Sequence, residues 1–440
     1  MSKGRELVAC FQCGKEIYEG DAIYFEQQPY CKDCYIRKLY KPKKEILLKN
    51  LIKSQYLQDK RLIEAFMEIP LEEFIPKEYA DHNKIYEDIP NLFYYEKPEN
   101  YRTISAPHMI TIMLQGLALK EDDDLLILGA KSGYIAALAH IMAPKGEIII
   151  LEANSEIAKI TDDNLKKLNL HDNITVNVKN PLEGMPDLSP WQKILVTGAI
   201  KQERIHTLLN QLDPKEGVLY APIGEDFIQI YTQILRIEEE FYGKKQLQVR
   251  FTPLMTQIEL DELELITDFE LLEEFEIKDD PNKVDETLCK VKEKINIKYT
   301  SSFFDEIEIK PQSEFQVNKE KISDDQRKEV LTYLENIEII IVKLKKEDDI
   351  AGCFDFIDDI ETQLETLKKF KKDFDIKTKK IQHFINQIRT FNIVRKELKK
   401  EEISNSNLID KEIEIINKQI EKLNDLHELL NKEIERIKKL

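Results

Sequence analysis

The stretch that most constrains the fold is LLILGAKSGYIAALA, residues 125–139. Four consecutive apolar residues break into a turn with glycines at Gly129 and Gly133, and a helical apolar run follows at once. A strand buried on both faces, then a glycine turn, then a helix, is the opening of a nucleotide-type α/β unit. Just upstream, the polar segment Thr103-Ile104-Ser105-Ala106-Pro107-His108 leads into an apolar helix. The G-A-K-S-G string is not a phosphate-binding P-loop, because the required first glycine and its spacing are missing.

Later segments repeat the alternation. Glu147-Ile148-Ile149-Ile150-Leu151-Glu152 reads as a second buried strand ending in an acid, with an amphipathic helix over 157–168. Strands are expected at 174–178, 193–197 and 217–222, with a helix over 205–212. Strands alternating with helices imply right-handed crossovers and a largely parallel, doubly wound sheet. Ligands of such sheets lie at the carboxyl ends of the strands, where Gly129, Glu152 and Asn180 fall. An acid placed like Glu152 accepts hydrogen bonds from ribose hydroxyls; the bland alternative is a solvated strand end.

At 440 residues the chain has room for two or three domains. Four of its six cysteines form Cys10-x2-Cys13 and Cys31-x2-Cys34 within the first 34 residues. Two such knuckles close a tetrahedral shell around a structural zinc ion, with no open position for water, so residues 1–40 are expected to be a zinc module. A hairpin is expected between the knuckles and a linker at 41–45. The net charge of −18 disfavours nonspecific binding to nucleic acid or membrane surfaces. No apolar run approaches the ~20 residues that span a bilayer. A cytoplasmic protein with reduced thiols is the expectation.

Residues 256–320 read as an acidic linker or accessory segment, whose apolar alternation fits edge strands or a loose helix. Residues 321–440 are helical. In the last helix Ile409, Ile413, Ile416, Ile420, Leu423, His427, Leu430, Ile434 and Ile437 recur at spacings of four and three. That is a heptad seam, expected to form a coiled coil within the chain or with a second copy as a homodimer. His427 is its one polar member.

The α/β part, residues 46–255, resembles the protein-L-isoaspartate O-methyltransferase family. The resemblance rests on Ile69-Pro70-Leu71-Glu72-Glu73-Phe74-Ile75-Pro76, the T-I-S-A-P-H block at 103–108, residues 129–134, Glu183-Gly184-Met185-Pro186, Pro222-Ile223-Gly224 and Arg250-Phe251-Thr252-Pro253-Leu254. It implies a Rossmann-like class I methyltransferase with S-adenosylmethionine as donor and an isoaspartyl carboxylate, in a damaged peptide or protein, as acceptor. It implies that Ser105, with Thr103 and His108 shaping the turn, orients that carboxylate. Read without the resemblance, Ser105 caps the helix that starts near Pro107. It implies a cofactor pocket formed by Gly129, Lys131, Ser132, Gly133, Glu152 and Asn180.

The chain departs from the family at that pocket. Ile127 stands for an acid, Lys131 for the middle glycine, Asn180 for the adenine-binding acid, Pro181 for a turn glycine and Gln192 for an aspartate. Two readings therefore stand. One is an active methyltransferase with an added zinc module, which offers a surface to a protein partner. The other is a degenerate methyltransferase fold that reads isoaspartyl sites or acts as an adaptor.

Overall fold

In the computed structural model of the chain, residues 7–82, 84–98, 100–225, 228–255, 274–294, 323–347, 349–398 and 406–440 are described. The amino-terminal module holds two hairpins where one was expected. Strand β1 (Leu7–Ala9) pairs with β2 (Glu16–Tyr18), and β3 (Ile23–Phe25) with β4 (Gln28–Tyr30). Helix α1 (Lys32–Lys53) starts at the second knuckle and runs unbroken through 41–45, with Pro42 inside it. The expected linker is therefore helix. Proline forfeits one helical hydrogen bond, but the following turns are anchored. The Lys44 ammonium donates to the carbonyls of Met67 (3.1 Å) and Ile69 (3.2 Å), and Leu47, Leu48 and Leu51 enter the main core. The module sits on a rod.

Helix α2 (Lys60–Glu68) is capped by Asp59, whose carboxylate accepts from the Arg61 amide. Strands β5 (Asn91–Lys97) and β6 (Asn100–Ile104) form a hairpin that leads into α3 (Pro107–Gly116). The alternating body follows: β7 (Leu125–Leu128), α4 (Tyr134–Met142), β8 (Ile148–Glu152), α5 (Ser155–Lys167), β9 (Ile174–Val178), β10 (Lys193–Val196), α6 (His206–Leu209), β11 (Val218–Glu225), β12 (Ile228–Ile237) and β13 (Glu240–Val249). Strand β14 (Ile277–Asp279) completes an eight-stranded sheet of order β14-β13-β12-β11-β10-β7-β8-β9.

The five strands from β9 to β11 run parallel, and β12 and β13 add an antiparallel extension. Period-two alternation splits the apolar strands between two cores. Leu125, Ile127, Ile148 and Ile150 join one; Leu126, Leu128, Ile149 and Leu151 join the other. Part of the expected linker belongs to this body. Strand β14 pairs parallel with β13, and helix α7 (Pro281–Lys294) buries Val284, Leu288 and Val291 in the first core. Pro281 starts the helix, since proline at a first helical position loses no bond. The rest of the acidic segment, 256–273, lies outside the described residues, as does 295–320.

Helices α8 (Asp324–Leu344), α9 (Ile350–Leu367), the single turn α10 (Lys371–Phe374), α11 (Thr378–Leu398) and α12 (Ser406–Lys439) make the carboxyl-terminal part. The four long ones share one core of Val330, Leu334, Ile357, Leu364, Ile381, Ile385, Leu426, Leu430 and their neighbours. The heptad seam of α12 is thus used within the chain, one position round from the expected face. Leu423, Leu430 and Ile437 are buried as read, but Gln419, Leu426 and Glu433 flank them, while Ile413 and Ile420 are 51% and 44% exposed. The helix lies between α8 and α11, so its buried face points at two neighbours instead of one. His427 bridges Lys345 Nζ and Glu338 Oε1, each at 3.2 Å. Among the described residues no helix is long and apolar enough to cross a membrane.

Candidate functional site

Strands β7 and β10 are neighbours, and the chain leaves them toward opposite edges of the sheet. That makes their carboxyl ends the topological switch point where open α/β sheets bind ligands. Gly129 closes β7 with φ +92°, and a Cβ there would meet Thr197 Oγ1 at 2.4 Å. The Thr197 hydroxyl lies against the carbonyls of Leu128 (2.9 Å) and Gly129 (3.0 Å), pinning the turn to β10. Lys131, Ser132 and Gly133 then follow at φ +44°, +63° and +88°. Two successive non-glycine residues in the left-handed region are held there by the surroundings. The Ser132 hydroxyl bonds the Phe74 carbonyl and accepts from Asn164 Nδ2 at 2.9 Å, so it faces the body of the domain. Gly133 packs against Thr161 and Leu165 of α5.

Glu152, at the end of β8, is buried. Its carboxylate accepts the amide of Ala130 (3.0 Å) on one oxygen and that of Asn154 (3.1 Å) on the other. It thereby ties the glycine turn to the start of α5. Lys131 is 7% exposed, and among the described residues its ammonium has no hydrogen bond or ion pair. Burial pushes its pKa down to about 8; Arg102 adds to that shift, and Glu152 opposes it. Phe93, Arg102, Gly129, Lys131, Glu152 and Thr197 line a cavity of about 20 Å³. That is room for one water.

The other departures do not line this cavity. Ile127 packs in the first core. Asn180 caps the turn after β9, accepting from the Leu182 amide at 3.0 Å. Gln192 accepts from the Asp124 amide at 3.2 Å, at the amino ends of the strands. Of these residues, only Lys131 meets the crevice.

The 103–108 block hangs from the same wall. Strand β6 puts Arg102 on the cavity and carries Thr103 next to it. Ser105 follows, buried, but it is not the helix cap: Ala106 holds that position and no side chain caps α3. Among the described residues no protein group bonds the Ser105 hydroxyl, so the capping role read from sequence is not the one it has. His108 is fixed by a partner that sequence reasoning missed. Asp88 Oδ1 lies 2.9 Å from both the backbone nitrogen and Nδ1 of His108. Burial works to raise the Asp88 carboxyl, but the two His108 hydrogen bonds outweigh it and hold the group below the usual range. The Tyr56 ring stands 5.5 Å from the imidazole. No spacing in the sequence announces Asp88, because only the folding-back of the 84–90 loop brings it to α3.

At the amino terminus the four sulfurs of Cys10, Cys13, Cys31 and Cys34 lie within 4.8 Å of one another. Cys10 Sγ also accepts the Cys31 amide at 3.2 Å. Tetrahedral zinc at ~2.3 Å from each thiolate would set the sulfurs just under 4 Å apart, so the donor set fits that ion.

Residues 42–259 match the family model described as Protein-L-isoaspartate(D-aspartate) O-methyltransferase. The chain is 35% identical over 218 residues to the Protein-L-isoaspartate O-methyltransferase of Ignicoccus hospitalis, covering 49% of this chain and 98% of that protein. It is 36% identical over 221 residues to the enzyme of that name from Methanococcus aeolicus, covering 48% of this chain and 94% of the relative. A solved structure of a protein-L-isoaspartate O-methyltransferase overlays 48% of this chain and 65% of its own, at 27% identity and a TM-score of 0.43. The parallel sheet, the switch-point crevice and the Ser105 block all fall inside the matched span, and nearly the whole of these two relatives is covered: the chain belongs to the protein-L-isoaspartate O-methyltransferase family.

Proposed function

We propose that this protein is an S-adenosylmethionine-dependent methyltransferase that esterifies the free carboxylate of isoaspartyl residues in damaged proteins. The observation that carries the reading is the course of β6, which lines the switch-point cavity with Arg102 and delivers Ser105 two residues after Thr103. Donor side and acceptor side share one strand.

The crevice suits the donor in its fixed parts. Glu152 at the strand end would hold the ribose hydroxyls, and the 129–133 turn would hold the amino-acid end. The flexible stem of Lys131 occupies room that a glycine at that position leaves open, so the side chain must turn before a nucleoside enters. When bound, the donor supplies a methyl group on a positively charged sulfur. The acceptor carboxylate is already ionised at neutral pH, so this chain needs no strong base. Ser105 donates to one carboxylate oxygen and so orients the other. His108, held by Asp88, shapes the turn that presents Ser105. The buried walls exclude water, which removes the hydration that makes a carboxylate a weak nucleophile.

Cys10, Cys13, Cys31 and Cys34 would hold a structural zinc ion with a closed shell, outside the chemistry. Six free thiols suit the reducing cytoplasm. The test is transfer of labelled methyl from S-adenosylmethionine to an isoaspartyl peptide, beside the same peptide with ordinary aspartate. Label is expected on the first only, with Ser105→Ala reduced at least tenfold. Equal labelling of the two peptides, or none on either, overturns the reading.

A further inference from the structure

Of the charged groups in the crevice, Arg102 is held by the Asn100 side chain at 2.9 Å and Glu152 by two backbone amides, which leaves Lys131 without a task. The residue is buried and touches the cavity, and among the described residues its ammonium lacks a hydrogen bond or ion pair. The charged groups facing it are Arg102 from β6, which repels it, and Glu152 from β8, which attracts it. Both Glu152 oxygens are already bonded to backbone amides of Ala130 and Asn154. An ammonium held in a buried turn without a direct counter-ion is destabilising, so a chain that keeps one usually has an anion to place beside it. The lysine is also held at φ +44°, in a turn whose middle position favours glycine.

We propose that Lys131 binds the α-carboxylate of S-adenosylmethionine, its side chain swinging out of the cavity as the ligand enters and its ammonium pairing with that carboxylate. The inference rests on the donor reading above. On that reading the turn at Lys131 would meet the amino-acid end of the donor, while Glu152 would face the sugar. The positive charge replaces an approach that backbone amides alone would make at a glycine.

A lysine of pKa about 8 carries its charge at pH 7 and has largely lost it at pH 9. The full chain is therefore titrated by calorimetry with S-adenosylhomocysteine, which keeps the carboxylate, and with 5′-methylthioadenosine, which lacks it. Lys131→Met is expected to weaken S-adenosylhomocysteine at pH 7 by about tenfold or more and to leave 5′-methylthioadenosine within about twofold. Wild-type affinity for S-adenosylhomocysteine should fall about tenfold from pH 7 to pH 9 relative to Lys131→Met, which subtracts the ligand's own amino titration. Lys131→Arg, whose charge does not titrate there, should bind at both pH values. A methionine variant that binds S-adenosylhomocysteine as well as wild type, or better, overturns the proposal and leaves a lysine that only fills space. If wild type binds 5′-methylthioadenosine alone, the clamp fails but the donor crevice stands. If it binds neither nucleoside, the donor reading falls and the clamp falls with it.

Discussion

Gly129 shows how tightly one position is set. Its φ of +92° and the 2.4 Å separation at which a Cβ would meet Thr197 Oγ1 are two separate obstacles to any side chain. Gly129→Ala should therefore cost about 3 kcal/mol, of which roughly 1–2 is the left-handed backbone and the rest the clash. Adding Thr197→Ala removes the hydroxyl and should recover the clash alone, although it gives up two hydrogen bonds to the turn. Chemical denaturation of the three proteins checks the split; full recovery in the double variant would mean that the backbone term is negligible. Asp88 makes a functional counterpart. Asp88→Ala frees the His108 ring and should lower kcat/KM for an isoaspartyl peptide by about tenfold through loss of positioning, with S-adenosylhomocysteine affinity unchanged. An equal loss of donor binding would show that Asp88 supports the fold and not the acceptor turn. At this scale the sequence was legible where side chains act through backbone shape, as in the glycine turn and the 103–108 block. It misled where direction matters. Ile127, Asn180 and Gln192 looked like alterations of the ligand pocket, but they point into the core, a turn and the far strand end.

The docking of α11 shows what an element needs beyond its own pattern. Its first backbone amides, from Lys379 and Lys380, donate to the two oxygens of Glu147 at 2.8 and 2.7 Å, so an acid from the sheet caps the helix across the interface. Burial works to raise the Glu147 carboxyl, but the Lys371 ammonium at 3.0 Å and these two amides outweigh it and hold the group low. A depressed folded-state pKa means that the stabilisation is present above the ordinary carboxylate value and is lost as pH falls through the lower, folded one. The bundle should therefore loosen from the sheet below about pH 4, and Glu147→Gln should flatten that dependence while weakening docking at pH 7. Hydrogen exchange of the α11 amides against pH reads this directly; unchanged protection down to pH 3 would remove Glu147 from the account. The amino-terminal module, on the zinc reading proposed above, offers a cleaner separation. Stripping the metal should unfold β1 to β4, because four thiols and a handful of apolar contacts form its whole core, while α1 beyond Leu47 stays anchored in the main one. One zinc per chain by elemental analysis, lost in Cys10→Ser, is the matching measurement. Unbroken apolar runs such as β7 and β8, and the helical extent of α12, were readable from sequence. The run through 41–45, β14 and α7 were not, because their order comes from partners far along the chain.

On the scale of the whole molecule, the sheet carries its two additions at separate places, and the bundle's place bears on activity. Its contacts fall at the amino ends of the strands: Asp124 before β7, Glu147 before β8, Asp172 before β9 and Trp191 before β10. The switch-point crevice lies at the carboxyl ends of the same strands. Removing residues 323–440 should therefore leave the affinity for S-adenosylhomocysteine within about threefold, since the freed acids return to water and none of the crevice residues loses a neighbour. Thermal stability should fall, because Trp191, fully buried with the Lys379 ammonium 4.3 Å over its ring, becomes exposed. A point change in the intact chain should be harsher on docking than its size implies. Lys371→Met keeps Asp124 and Glu147 enclosed after taking away the ammonium that lies 2.7 and 3.0 Å from them. Asp124 then retains the more distant Lys379 ammonium at 3.8 Å, so the under-compensated buried charge costs up to about 3 kcal/mol, still more than the pair itself contributes. The intact Lys371→Met chain should thus show faster exchange in α11 at pH 7. Donor binding should be unmoved in both. A large change in donor affinity in either protein would mean that the bundle is coupled to the crevice through the strands, and the separation of the two ends of the sheet would then be a matter of distance only.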